Sequence, residues 1–436
     1  MAKYLLAATP MPGHADPVIA AAHGLAARGH DVVVQTGSLF RGAVERAGAG
    51  FVPLAAEIDI DYRDLNTRFP ERAALPPGPA QMFWGVRHLF ADAIAPQWRG
   101  LRGILGGYAA DFLLTDMLFL GTLPFLLGKR EQRPVVGHLG ISSLALSGPE
   151  IGFYGAGLPP ARTAQQRARN EAVAGYLHAQ VFGGVQNYTN EKLAECGAPR
   201  LQKFISDAVV MLPDVYFQLG LPELEYDRPL PPRVKFLGAL PPHAPAAYSA
   251  PAWWPAVIAA RQDNKKIVLV TQGTIANDDL GQLVIPTMAA LADEDMLVVA
   301  VTSGADPGAL LAVTPENAIT TPFVPYDFIL PHVDLLVTNG GFGGVLLALR
   351  HGVPVVIAGD SEEKPEIAGR IAAAGAGLDL ATGQPGAEMI GDAVAHVFNT
   401  PGILARARQI GETLRRQNAI DVIEAAFASA AVSNAA

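Results

Sequence analysis

At 436 residues the chain exceeds what one hydrophobic core normally serves, so at least two domains are expected. Half of it is hydrophobic and 17% is charged, which excludes a disordered polymer. A net charge of −9 speaks against a general nucleic-acid binder, and the one cysteine, Cys196, leaves no intrachain disulfide to form.

The N-terminal apolar run, residues 1–8, is too short for a signal peptide and leads straight into a loop. Residues 3–8 read as a buried strand. Asp16 reads as the cap of a helix opened by Pro17, with Val18, Ile19, Ala22, Leu25 and Ala26 on one face. Gly29 stops that helix, and Val32–Val34 forms the next strand, completing a β-α-β unit of a parallel sheet. A helix near 38–47 and a strand near 51–54 continue the rhythm. Residues 57–100 interrupt it with prolines and aromatics: Tyr62, Phe69, Phe83, Trp84 and Phe90. Strands are expected again at 112–114 and 135–137, helix over 160–196 and strand over 209–219. The apolar run 112–128 carries Asp116, Gly121 and Pro124, so it reads as strand, loop and helix and not as a membrane span. A cytoplasmic location is the expectation.

A stretch rich in Pro and Ala with Trp253 and Trp254 reads as a linker over 241–265. A second α/β rhythm follows, with strands at 267–270, 297–301, 334–337 and 353–358. One long amphipathic helix is expected over 402–428. The expected organisation is an N-terminal domain over 1–240, the linker, a second domain over 266–415, and a C-terminal helix and tail over 416–436 that packs back on the first domain. In doubly wound sheets the ligands meet loops at the carboxyl ends of strands. Two such halves facing each other would hold a ligand in the cleft between them.

Those loops carry the candidate chemistry. His14 follows the first strand in Thr9-Pro10-Met11-Pro12-Gly13-His14, where a general base of an open α/β sheet belongs. A histidine base needs an orienting carboxylate. Asp111 opens the strand at 112 and Asp116 closes it, so Asp116 shares a rim with His14. Gly273-Thr274 ends the first strand of the second half, where it can meet phosphate or sugar oxygens. Asn339-Gly340-Gly341-Phe342-Gly343-Gly344 reads as a diphosphate cradle, in which amides at a helix start face an anion. It lacks the dinucleotide fingerprint, because position 346 is Leu; Asp360 keeps a nicotinamide-dependent oxidoreductase as an alternative.

The chain resembles the UDP-glycosyltransferase-like proteins of glycosyltransferase family 1, in particular the bacterial enzymes that glycosylate macrolides and other small natural products. The resemblance runs from Gly13-His14-Ala15-Asp16-Pro17 and residues 24–32 to Phe323-Val324-Pro325, Leu330, His332, Asn339-Gly340-Gly341, Gly352-Val353-Pro354 and Glu363-Lys364. It implies the GT-B fold, an α/β architecture of two Rossmann-like doubly wound domains facing across a cleft. It also implies an inverting mechanism without metal or resident cofactor, the nucleoside diphosphate sugar being a co-substrate.

On that resemblance His14 is the base and Asp116 its orienting acid. The diphosphate would lie against Gly273, Thr274, Asn339, Gly341, Phe342, Gly343 and Gly344. Phe323 would pack on the nucleobase, the Val324 backbone would read its edge, and Glu363 and Lys364 would hold the sugar. The implied partners are a UDP- or dTDP-sugar and a lipophilic small-molecule acceptor, with no nucleic acid and no stable membrane insertion. The chain departs from the family at Phe323 (usually Trp), Asn339 (usually His), Gly344 (usually Ser or Thr), Leu347 (usually Glu) and Lys364 (usually Gln). These departures keep a second expectation open: a non-catalytic auxiliary protein of the same fold that activates a partner transferase.

Overall fold

The computed structural model describes residues 1–76, 79–240, 248–273, 279–304 and 307–435. The chain divides into two compact units. Met1–Leu221, Asp227–Ala244 and Asn418–Ala436 form the first, and Pro222–Tyr226 and Pro245–Gln417 the second.

The first unit is built on seven parallel strands: β1 (Lys3–Ala7), β2 (Asp31–Thr36), β3 (Gly50–Pro53), β4 (Phe112–Asp116), β5 (Val135–Gly140), β6 (Val215–Leu219) and β7 (Val234–Gly238). Their order is β3-β2-β1-β4-β5-β6-β7. The direction of winding reverses between β1 and β4, which pair Tyr4 with Phe112 through Ala7 with Thr115. Continuous apolar runs make these strands: Leu5, Leu6 and Ala7, then Leu113 and Leu114, are fully buried, as a sheet covered on both faces requires. The second unit has six parallel strands: β8 (Lys266–Thr271), β9 (Met296–Val301), β10 (Ala318–Thr321), β11 (Leu335–Thr338), β12 (Val355–Ile357) and β13 (Gly377–Asp379). Their order is β10-β9-β8-β11-β12-β13, with the reversal between β8 and β11. Among the described residues no helix is long and apolar enough to cross a membrane.

Several local expectations change. The first helix spans Pro12–Ala27, so Pro17 lies inside it and Asp16 is not its cap. Pro12 sets the helical φ one turn earlier. Pro17 leaves the Gly13 carbonyl without its intrahelical donor, a small loss because Gly13 is exposed to water. The stretch 209–219 is a helix end, from Ile205–Met211, followed by β6. The linker stretch contains a helix, Trp254–Gln262, that packs in the second unit, with Trp254 4.2 Å from Phe328 and 5.1 Å from His332 between ring centroids. Residues 402–428 are two helices, Pro401–Arg416 and Ala419–Ala435. The break is at Gln417, which is extended; Asn418 Oδ1 then accepts the amides of Ile420 at 3.1 Å and Asp421 at 3.4 Å and starts a new helix. Pro222–Tyr226 joins the second unit through Glu225. Its carboxylate meets the buried Arg370 guanidinium at 3.0 Å, and Glu366 meets the same guanidinium at 2.7 Å.

The last helix belongs to the first unit. Phe427 is fully buried against Phe112 (4.8 Å between centroids, stacked) and Phe217 (5.0 Å, edge-on). Gly137 makes room for the Phe217 and Phe427 rings, since a Cβ there would stand 2.7 Å from each. Arg28 and His30, from the other end of the chain, pair with Glu424.

Two predictions follow from this packing. Phe427→Ala should destabilise the first unit by about 3–5 kcal/mol, the usual cost of emptying a buried aromatic site, read as a lower unfolding temperature. His138 on β5 is the second case. It is fully buried, with its Nδ1–H donated to the Val209 carbonyl (2.8 Å) and its Nε2 accepting from the Thr122 hydroxyl (2.8 Å). Burial pushes its pKa down to about 4 from the ordinary 6.5, so the folded protein holds it neutral while the unfolded chain takes up a proton. The stabilisation is complete above about pH 6.5 and is lost as pH falls toward 4, a loss of about 3 kcal/mol if this group acts alone. Unfolding midpoints between pH 7 and pH 4 should show that loss, and His138→Gln should flatten it.

Candidate active site

In the first unit the loop after β1 and the end of β4 meet at the switch point. Asp116, the last residue of β4, is fully buried. Its Oδ2 accepts the Thr9 amide at 2.8 Å. Its Oδ1 accepts the Leu118 amide at 2.9 Å, the Thr9 hydroxyl at 3.4 Å and His14 Nδ1 at 2.8 Å. Burial alone would raise this carboxyl's pKa. The charge and hydrogen bond of His14, with the amides of Thr9 and Leu118, outweigh it and hold the carboxyl below the usual carboxylate range. An ionised carboxylate only accepts, so Nδ1 of His14 carries the hydrogen and Nε2 is the basic atom. His14 lies in the first helical turn, its side chain 14% exposed, and the Phe90 ring stands 5.7 Å from its own. Asp111 serves elsewhere, accepting the Lys3 amide at 2.8 Å.

Beside the loop that carries this dyad is a small apolar recess, whose walls include Thr9, Met11, Ile58, Tyr62, Leu89 and Gln97. Of the aromatics in 57–100, Tyr62 lines it, Phe90 faces His14, and Phe69, Phe83 and Trp84 pack on other rings. Leu89 and Phe90 sit on a π-helical turn, Val86–Ala91, an insertion that turns both toward this region and that periodicity alone could not show.

In the second unit the loops after β8 and β11 meet at its switch point. Gly273 (φ +79°) lies beside Asn339; a Cβ there would stand 3.4 Å from Asn339 Oδ1. Thr274 lies outside the described residues. Asn339 Nδ2 donates to the Gln272 carbonyl, and its buried Oδ1 has no partner among the described residues, so this side chain first ties the two loops together. Gln272 was not legible as important; it is buried, and its Oε1 accepts the amides of Leu283 and Val284 while Nε2 donates to the Asp279 carbonyl. Gly340 needs its glycine: φ is +96°, and a Cβ would stand 2.7 Å from Ile357.

The helix Phe342–Arg350 has no side-chain cap at Gly341. Its first amides, at Phe342, Gly343 and Gly344, therefore lack intrahelical acceptors. A Cβ at Gly341 or Gly343 would meet nothing, so the approach is open, whereas Gly344 packs on the Tyr326 hydroxyl. Phe342 contributes only its amide, since its side chain is buried. Phe323 is 64% exposed and Val324 is buried. Glu363 precedes the helix Lys364–Ala373. Lys364 is buried, its Nζ donating to Glu362 at 2.6 Å and Ser361 at 3.1 Å, so its ammonium serves its own loop.

Residues 285–424 match the family model described as Erythromycin biosynthesis protein CIII-like, C-terminal domain. The chain is 35% identical over 430 residues to the 4'-demethylrebeccamycin synthase of Lentzea aerocolonigenes, covering 97% of this chain and 99% of that one. It is 34% identical to UDP-glucosyltransferase A1 of Starmerella bombicola, covering 95% and 89%. A crystal structure of the glycotransferase of kitacinnamycin superposes with a TM-score of 0.73 at 20% identity, covering 98% of this chain and 99% of that one, and shares its fold. Two parallel, doubly wound units, a His14–Asp116 dyad and full-length likeness to these enzymes lead to one conclusion: the chain is a GT-B glycosyltransferase belonging to the UDP-glycosyltransferase-like family 1, among the enzymes that glycosylate natural products.

Proposed function

We propose that this enzyme is an inverting O-glycosyltransferase that moves a hexose from a nucleoside diphosphate sugar to a hydroxyl of a lipophilic small molecule, such as a macrolide, polyketide, flavonoid or other phenolic, in the cytoplasm. The observation that carries the reading is the dyad: a buried carboxylate fixes His14 Nδ1 and leaves Nε2 as a base.

In the step we propose, the acceptor oxygen bonds to the anomeric carbon as its proton passes to His14 Nε2. The bond from that carbon to the diphosphate breaks, and its electron pair leaves on the nucleoside diphosphate. Attack from the face opposite the leaving group inverts the centre. Asp116 takes no proton; it offsets the imidazolium charge. The first-turn amides at Phe342, Gly343 and Gly344, with the loop at Gly273 and Thr274 and the second N–H of Asn339, would hold the diphosphate, the helix dipole doing the work of a cation. Phe323 offers an exposed ring for the base, beside the Val324 backbone, and Glu363 offers acceptor oxygens to sugar hydroxyls. Lys364 would shape that loop more than touch the sugar.

Leu347 gives a ribose hydroxyl no acceptor, which favours a deoxyribose donor such as a dTDP-sugar. The likeness to a UDP-glucosyltransferase favours uridine. The intact dyad and the likeness to catalytic glycosyltransferases speak against the auxiliary reading, and the same likeness speaks against the nicotinamide-dependent alternative.

Replacing His14 by Ala should cut transfer by roughly 10²–10⁴-fold while nucleotide binding, read by calorimetry, stays near wild type. Transfer at the wild-type rate would refute the base assignment. Asp116→Asn should also lose most turnover, because an amide no longer selects the productive tautomer. A thermal-shift screen with UDP- and dTDP-sugars tests the donor, since ligand at 100 times Kd stabilises the native state by about 2.7 kcal/mol. A larger shift with UDP-glucose than with any dTDP-sugar would overturn the argument from Leu347.

A further inference from the structure

A hydroxyl that the proposed step does not use stands at the first turn of the helix Phe342–Arg350. It belongs to Tyr326, which opens the single helical turn Tyr326–Ile329. A Cβ at Gly344 would stand 3.0 Å from this oxygen, 3.4 Å from Tyr326 Cζ and 3.6 Å from Tyr326 Cε2. The hydroxyl thus lies where a side chain on the third residue of the helix would begin. Cα–Cβ bonds in a helix tilt toward its N-terminus, so that place is on the side where the amides of Phe342, Gly343 and Gly344 lack acceptors. Among the described residues the hydroxyl has no hydrogen-bond partner. Burial pushes its pKa up to about 12, so it keeps its proton through the neutral range and stays a donor.

The turn that carries Tyr326 is fixed from its other side. Asp327 Oδ1 meets His351 Nε2 at 3.3 Å and Arg350 Nη1 at 3.6 Å, both at the far end of the same helix. One residue of the turn is therefore tied to the helix end while its neighbour places a hydroxyl at the helix start.

We infer that Tyr326 is a further donor-binding residue: its O–H donates to an oxygen of the diphosphate at the 342–344 amides and stands in for the hydroxyl that Gly344 lacks. The inference rests on the reading of that helix start as the diphosphate site. It goes beyond it by naming a side-chain donor there. As the bond to the anomeric carbon breaks, charge gathers on the departing diphosphate, and a hydroxyl that keeps its proton stabilises that charge without being consumed.

Tyr326→Phe removes the oxygen and keeps the ring. Its dissociation constants for dTDP and UDP, read by calorimetry, should rise roughly 10- to 100-fold, the cost of one hydrogen bond to a charged group, with unfolding near the wild-type temperature. The same change opens space at Gly344, because the ring carbons alone leave a Cβ at ordinary contact distances. Tyr326→Phe combined with Gly344→Ser should therefore recover much of the affinity, and combined with Gly344→Ala should recover none. Two results would overturn the inference: Tyr326→Phe binding both nucleotides as tightly as wild type, or the alanine combination recovering affinity as well as the serine one, which would make Tyr326 a packing residue. If the wild-type enzyme binds neither nucleotide, the diphosphate reading of the helix start fails, and the proposed function with it.

Discussion

One buried carboxylate sets much of what the first unit does. An ionised group out of water costs several kcal/mol unless partners surround it, and Asp116 is fully buried. Four donors meet it: the amide and hydroxyl of Thr9, the amide of Leu118 and the ring of His14. To deliver them, β1 must lie next to β4 and the chain leaving β1 must turn at once across the end of its neighbour. The strand order supplies that adjacency, and the early helix start at Pro12 delivers the rest, placing His14 within its first turn. The same bonds that satisfy Asp116 fix the imidazole tautomer. Folding and orientation of the imidazole are therefore one physical event, and His14 cannot be misplaced without exposing the cost of the carboxylate.

The second unit reaches an equivalent location by a different device. Its winding also reverses, between β8 and β11, and the loops after those strands are again neighbours. The loops are joined by Asn339 donating to the Gln272 carbonyl, while the Gln272 side chain holds the start of the helix Val284–Ala290. Glycines at 273 and 340 take left-handed φ values, and at 340 the neighbouring Ile357 leaves no room for a side chain.

The parts of this that the sequence showed are those that obey local rules. Apolar runs with β-branched residues marked the principal strands. The glycine cluster marked an uncapped helix start, and the end of β4 singled out Asp116 over Asp111. What escaped depends on contacts distant in sequence or on a small change of period. Asn418 looks like any surface residue until two amides converge on it. The helix Trp254–Gln262 hid in a proline-rich stretch because Pro255 falls in its first turn, where proline is tolerated. The π-helical turn at Val86–Ala91 shifts Leu89 and Phe90 off a regular face, so no 3.6-residue pattern reveals them. Gln97 reads as a polar surface position on an amphipathic helix; only the close approach of Gly121 buries it.

The departures from the family pattern in the second unit share a physical logic. Asn339 spends a donor on the Gln272 carbonyl, Lys364 neutralises Glu362 on its own loop, Gly344 has no hydroxyl, and Leu347 has no polar atom. Asn339 and Lys364 stabilise loops more than they present groups to a ligand, and Gly344 and Leu347 present no polar side-chain group. The main chain there presents uncapped amides at 342–344, and the absent side chains of Gly341 and Gly343 leave open space beside them. Amides recognise negative charge and geometry but not the identity of a base or sugar. On the proposed function, discrimination in the second unit would fall to Phe323, the Val324 backbone and Glu363, none of which is a bidentate reader of ribose.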